Sequence, residues 1–216
     1  MIASISKSET TIHDAAELQE KRNILQRRIT TWIDTAKTYA PTLFDLAEGD
    51  TPQGHAESFP LRLPSSLPTS VRAVVYPVQL INIERRLRLA QADDSLNELR
   101  RLLRVSMGLW KYKTEQVGPS QRASTRARSL IARFKNKISR CANRYRAARA
   151  ALVALDPNGS WKSRLRNLET KDIKGPGKGP DEAEGMRTLS WIWTVRSESG
   201  RDTISANVDA EFNEGK

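Results

Sequence analysis

"RASTRARSLIARFKNKISRCANRYRAARAALVALD", residues 122–156, holds ten Arg and Lys side chains and no acid before its final Asp156. At about 100° per residue, Ala123, Ala127, Leu130, Ile131, Phe134, Ile138, Cys141, Tyr145, Ala148 and Leu152 fall on one side of a helical wheel. That side is the expected core face. Cys141 sits within it and is expected to be a small buried apolar group rather than a nucleophile. The basic residues divide into two flanks. Arg122, Arg126, Arg133, Lys137, Arg140 and Arg144 form one stripe, and Arg128, Lys135, Arg146 and Arg149 lie across the far side. Like charges three and four residues apart repel by a few tenths of a kcal/mol per pair, and a helix selected for stability alone mixes signs. The six-residue stripe therefore reads as a candidate nucleic-acid contact. A plainer alternative is that the Arg stems cover apolar edges while their heads stay in water. Another is that Glu17, Glu20 and Asp34 of an earlier helix face the stripe.

A helix with this face needs partners. Residues 77–117 supply one: Leu89, Ala92, Leu96, Leu99, Leu103, Ser106 and Trp110 keep a 3-4 spacing, preceded by Leu80, Ile83 and Leu87 in a shifted register. Pro77 suits the first turn, and Gly108 weakens the interior by about 1 kcal/mol relative to Ala. Residues 12–47 supply another, through Leu25, Ile29, Trp32, Ala36, Tyr39, Leu43 and Leu46. Asp14 is the expected N-cap, with Glu17 three residues on. Pro41 is expected to kink or end that helix near Ala40.

Between these helices, residues 48–76 are rich in Pro and Ser and read as a linker, with Leu61, Leu63 and Leu67 able to pack down on the helices. After the basic helix (118–155), "DPNG" at 156–159 signals a turn. Ser160 is placed to cap the short helix "WKSRLRNL", and the Gly-rich "KDIKGPGKGPDEAEG" reads as flexible. "RTLSWIWTV" suits a short extended segment whose Trp191 and Trp193 dock on the helices. Residues 1–11 and the tail from 197 to 216 lack apolar periodicity and are expected to be disordered. The fold class is all-α: three long helices in an antiparallel, coiled-coil-like bundle with a disordered C-terminal tail.

The totals agree with an anionic partner. The chain has 216 residues and a formal net charge of +11, with a pI near 10.1; nucleic acid is the first candidate, an acidic membrane or protein the second. One cysteine and two histidines exclude an intramolecular disulfide and a Cys/His zinc cluster. "MIASISKSET" has no apolar h-region, so no secretory signal is expected, and no apolar run reaches the roughly 18 residues of a membrane span. No phosphate-cradling loop, HExxH or GxSxG is present, and "GPGKGP" follows no predicted strand. Asp93 and Asp94 have no clear partner for a metal site. Neither a cofactor nor a metal is expected.

The order of "KRNILQRRITTWIDTAKTYAP", "LRLPSSLPTSVR", "ERRLRLAQADDSLNELRRLLR", "QRASTRARSLIARFKNKI", "YRAARAALVALDPNGSWKSRL" and "EGMRTLSWIW" resembles the C-terminal helical region of fungal Kyakuja-Dileera-Zisupton (KDZ) transposases, over roughly residues 15 to 195. The resemblance implies a part of an RNase-H-like DNA transposase whose catalytic acids and cysteine clusters lie upstream, so no catalytic residue carries over. It implies a non-catalytic accessory module, acting in the nucleus on the DNA backbone and beside a catalytic transposase chain. The alternatives are a self-associating or protein-interaction coiled coil, making a homo-oligomer, and an inert truncated transposon remnant.

Overall fold

The computed structural model describes residues 12–45, 55–115, 121–176 and 189–195. Among them the chain is all-α, with no strand and three long helices: α1 (Ile12–Tyr39), α4 (Val78–Glu115) and α5 (Gln121–Leu155). Two short helices, α2 (Thr42–Asp45) and α3 (Thr69–Val75), and several 3-10 turns complete the order. The chain forms two compact units, residues 1–82 and 83–216. The expected disorder of 1–11 and of the tail falls outside the described residues, as does Leu46.

In the first unit, Pro41 acts as expected. Ala40 makes the last helical hydrogen bond, to the Ala36 carbonyl at 2.8 Å, and Pro41 has no N–H with which to continue. Asp14 is not the N-cap, because α1 begins at Ile12; it lies in the first turn, where its charge favours the helix dipole. Glu17 pairs instead with Lys21 on its own helix. Ile29 is buried, but Tyr39 is 63 % exposed and leaves the apolar stripe.

The segment read as a linker is more ordered than its composition suggested. Two of its prolines start elements: Pro64 opens a 3-10 turn over Pro64–Ser66, and Pro68 precedes α3. Val75 and Tyr76 then pack with Ala40 and Leu43 in a small core that Trp32, Leu67, Leu80 and Ile81 flank. The Tyr76 hydroxyl donates to the Arg62 carbonyl. Arg22 of α1 reaches Glu57, Nη2 to Oε1 at 2.6 Å, beside the buried Ala56. Leu61 is exposed and does not join.

In the second unit α4 and α5 run antiparallel. Arg85 meets Asp156, and ten residues further along α4 the Cys141 thiol donates to the Ser95 carbonyl at 3.0 Å. The core between them uses the spacings read from sequence: Ala92, Leu96, Leu99 and Leu103 from α4, and Cys141, Tyr145, Ala148 and Leu152 from α5. Small residues at 92, 141 and 148 let the backbones approach while Leu96, Tyr145 and Leu152 fill the layers between. Leu102 is also buried, whereas Ile83 and Leu87 are exposed. The shifted early register of α4 therefore does not enter this core.

One side of the pair is covered by an irregular segment. Trp161, Leu165, Leu168 and Ile192 join the same core, with Ile173, Trp191 and Trp193 packed against it. "WKSRLRNL" makes only one 3-10 turn, Ser160–Ser163, with Gly159 rather than Ser160 as its cap residue. A Cβ at Gly159 would lie 2.3 Å from both Asp156 Oδ2 and the Trp161 ring, so the turn needs glycine. "SWIW" docks as expected but is a 3-10 turn over Trp191–Trp193, not an extended strand. That turn points Ile192 inward to full burial and leaves Leu189 54 % exposed.

Candidate nucleic-acid interface

The ten cations of α5 have two different surroundings. In its C-terminal half they serve the fold. A covering segment without regular ladders leaves carbonyls that need donors, and the long helices supply them. Arg146 Nε donates to the Leu168 carbonyl at 3.0 Å. Arg149 Nε donates to the Leu165 carbonyl at 3.1 Å, with its guanidinium 5.9 Å from the Trp161 ring centroid. The Tyr145 hydroxyl donates to the Arg166 carbonyl at 2.7 Å, and burial pushes its pKa upward. From α4, Arg100 holds the Ile192 and Val195 carbonyls, and burial lowers its pKa, opposed by Asp93. Asp93 is buried in a two-pronged pair with Arg164, Nη2 to Oδ2 at 3.0 Å. Asp94 is exposed.

In the N-terminal half the cations are left over. Arg126, Arg133, Lys137 and Arg140 of the expected stripe are exposed, as are Arg128 and Lys135 of the far flank. Among the described residues, Arg126, Arg133 and Arg140 take no hydrogen bond or ion pair. Lys137 lies 5.2 Å from the Phe134 ring centroid. Arg144 marks the border: its head is exposed, but Nε donates to Ser95 Oγ at 3.0 Å. Arg122 stands in the first turn of α5, and its side chain is outside the described residues. From Arg126 to Arg140 the stripe spans about 21 Å at 1.5 Å per residue.

Helix α4 adds to this end, which the single-helix reading missed. Beyond Leu103, α4 carries Arg104, Lys111 and Lys113 against one acid, Glu115. The acid-free run after Glu98 was the available signal. Glu98 itself is committed: hydrogen bonding from Arg101, 2.7 Å away, holds its carboxyl below the ordinary value, with smaller help from Arg144 and Lys137. Cys141 is buried and burial raises its thiol, against the opposing pull of Arg144. Burial thus disfavours its thiolate form.

The described residues thus define an all-α chain whose two longest helices form an antiparallel pair, cushioned at one end and bare and basic at the other. No protein-family model, curated protein or solved structure matches it. Among the described residues no group of three or more His, Cys, Asp or Glu could hold a metal ion. No described helix is long and apolar enough to cross a membrane.

Proposed function

We propose that this chain is a non-catalytic helical module that contacts the DNA phosphate backbone through the N-terminal half of α5. Its likeness in sequence to the C-terminal region of KDZ transposases favours an accessory role beside a catalytic transposase chain in the nucleus. The observation that carries the reading is the surplus of exposed, unpaired cations that the fold itself does not use, on a helix without acids. Arginines at helical spacing along an exposed face track a backbone rather than read bases. Binding should therefore depend weakly on DNA sequence and strongly on salt. With about five phosphates neutralised, log affinity against log salt should fall with a slope of roughly −4 to −5 on duplex DNA. Replacing Arg126, Arg133 and Arg140 by Gln should flatten that slope by up to about 3 units with helicity retained. Fluorescence anisotropy over a salt series measures both. Absence of binding by the unmodified protein even near about 50 mM salt would overturn the proposal. So would an equal loss per charge when Lys21 and Lys171, elsewhere on the surface, are replaced.

A second reading, self-association, draws on Ile83 and Leu87. They stand four residues apart on α4 and are 49 % and 63 % exposed. Sedimentation that depends on protein concentration and is abolished by Leu87→Glu would favour it. A chain that neither binds DNA nor self-associates would fit the inert remnant.

A further inference from the structure

The exposed cations of α5 stand in two rows, not one. At about 100° per residue, Arg126, Arg133 and Arg140 lie within about 40° of one another around the helix. Arg128 and Lys135 form a second row, about 150° from the first across the outer face. All five are exposed, and among the described residues none takes a hydrogen bond or ion pair. Between the rows run Thr125, Ser129, Ala132, Asn136, Ser139 and Asn143, alternately four and three residues apart and all exposed. Each is neutral and short. Diametrically opposite this strip, Phe134, Ile138 and Cys141 turn to the core. The outer face of α5 is thus a low neutral ridge with positive charge along both sides.

A single line of phosphates can lie against one row but not against both, because the body of the helix stands between them. Serving both rows takes phosphates on two sides, with room between for a helix about 10–12 Å across. The major groove of B-form DNA is about 12 Å wide, admits an α-helix and has a sugar–phosphate backbone along each edge. The ridge then faces the base edges. It carries no Arg or Lys, the side chains that most often read guanine there. Asn143 Oδ1 already accepts from Arg146 Nη1 at 3.0 Å. Asn136 is left as the one amide on the ridge with no described bond, which agrees with a weak dependence on sequence.

We propose that α5 seats in the major groove of duplex DNA, with Arg126, Arg133 and Arg140 on the phosphates of one strand and Arg128 and Lys135 on those of the other. This inference rests on the DNA reading and adds to it the groove and the second strand. The test uses the full chain and two double variants, Arg126→Gln with Arg133→Gln and Arg128→Gln with Lys135→Gln. Each removes two charges, and circular dichroism checks that helicity is kept. Anisotropy over a salt series is measured on one labelled DNA duplex and on an RNA duplex of the same sequence. Each double variant should flatten the DNA salt slope by roughly 2 units. The RNA duplex, whose major groove is too deep and narrow for side chains to enter, should bind about tenfold more weakly at the same salt. Flattening by the first pair alone would overturn the groove seating and leave a one-sided backbone contact standing. Equal affinity for the RNA duplex would do the same. Slopes that neither pair moves, or no binding by the unmodified protein, would overturn both readings.

Discussion

The two halves of α5 are written in the same alphabet and do opposite things. Arg144, Arg146 and Arg149 spend their guanidinium groups on Ser95 and on the carbonyls of the covering segment. Arg126, Arg133 and Arg140 point at solvent. The lesson is that cation density alone does not mark a binding surface. What matters is how many cations remain once unpaired carbonyls and buried carboxylates have taken theirs. Around Arg146 and Arg149 the demand is local and high, because residues 160–176 and 189–195 fold without regular hydrogen-bond ladders.

The sharpest way to break this contrast is through the apolar residues beneath it. Tyr145 is fully buried and hydrogen-bonded, whereas Phe134 is half-buried at the margin of the same core. Tyr145→Ala should cost about 3–5 kcal/mol. Phe134→Ala should cost roughly 1–2 kcal/mol, because part of its surface is already wet. Denaturant melts that give equal losses would show that the core extends evenly along the helix. The milder Tyr145→Phe tests the electrostatics. Burial raises the folded hydroxyl above its ordinary value of 10.0, so above about pH 10 the unfolded chain releases this proton first. Stability is then intact below that pH and falls above it, by up to about 1.4 kcal/mol per pH unit from this group. The Cys141 thiol, also raised by burial above its ordinary value of 9.0, adds a decline of the same sign that begins about one pH unit lower. Tyr145→Phe should shallow the alkaline slope while costing roughly 1 kcal/mol at neutral pH for the lost hydrogen bond.

A smaller effect separates the arginines themselves. Arg146→Gln and Arg149→Gln should each cost about 1–2 kcal/mol, since each strands a part-buried carbonyl. Arg126→Gln and Arg133→Gln should stay within about 0.5 kcal/mol. On the proposed function the order reverses for DNA: the outer pair should weaken binding and the inner pair should leave it nearly unchanged when folded. If one set dominated both measurements, the division between clamps and contacts would be false.

The long helices were legible because their cores repeat locally: Leu96, Leu99 and Leu103 announce each other within eight residues, and Cys141, Tyr145, Ala148 and Leu152 within twelve. The stripe was legible for the same reason, being spaced along one helix. The contacts that hold the covering segment were not. Arg100 meets Ile192 and Val195 more than ninety residues away, and Arg164 meets Asp93 across seventy-one. No periodicity encodes such pairs. Ile192 was missed because alternation put Trp191 and Trp193 on the inner face, while a 3-10 turn buries the residue between them. Helix α3 was missed because Pro and Ser read as loop, although Pro68 sits where a helix can start after it.

The smallest expected effect belongs to Gly108, in the bare part of α4. A Cβ there meets nothing within 4 Å, so Gly108→Ala relieves backbone entropy without a clash and should stabilise the helix by up to about 1 kcal/mol. Where that gain shows depends on how this end unfolds. Beyond Leu103 the α4–α5 pair has few fully buried side chains, and weakly packed ends open before the rest of a domain does. The substitution should therefore slow hydrogen exchange of residues 104–113 several-fold and move the global melt by less than about 0.5 kcal/mol. A gain appearing in full in the global melt would mean that the bare end and the cushioned end unfold as one. The two halves of the pair would then differ in charge but not in stability, and the leftover cations would sit on a platform as rigid as the core.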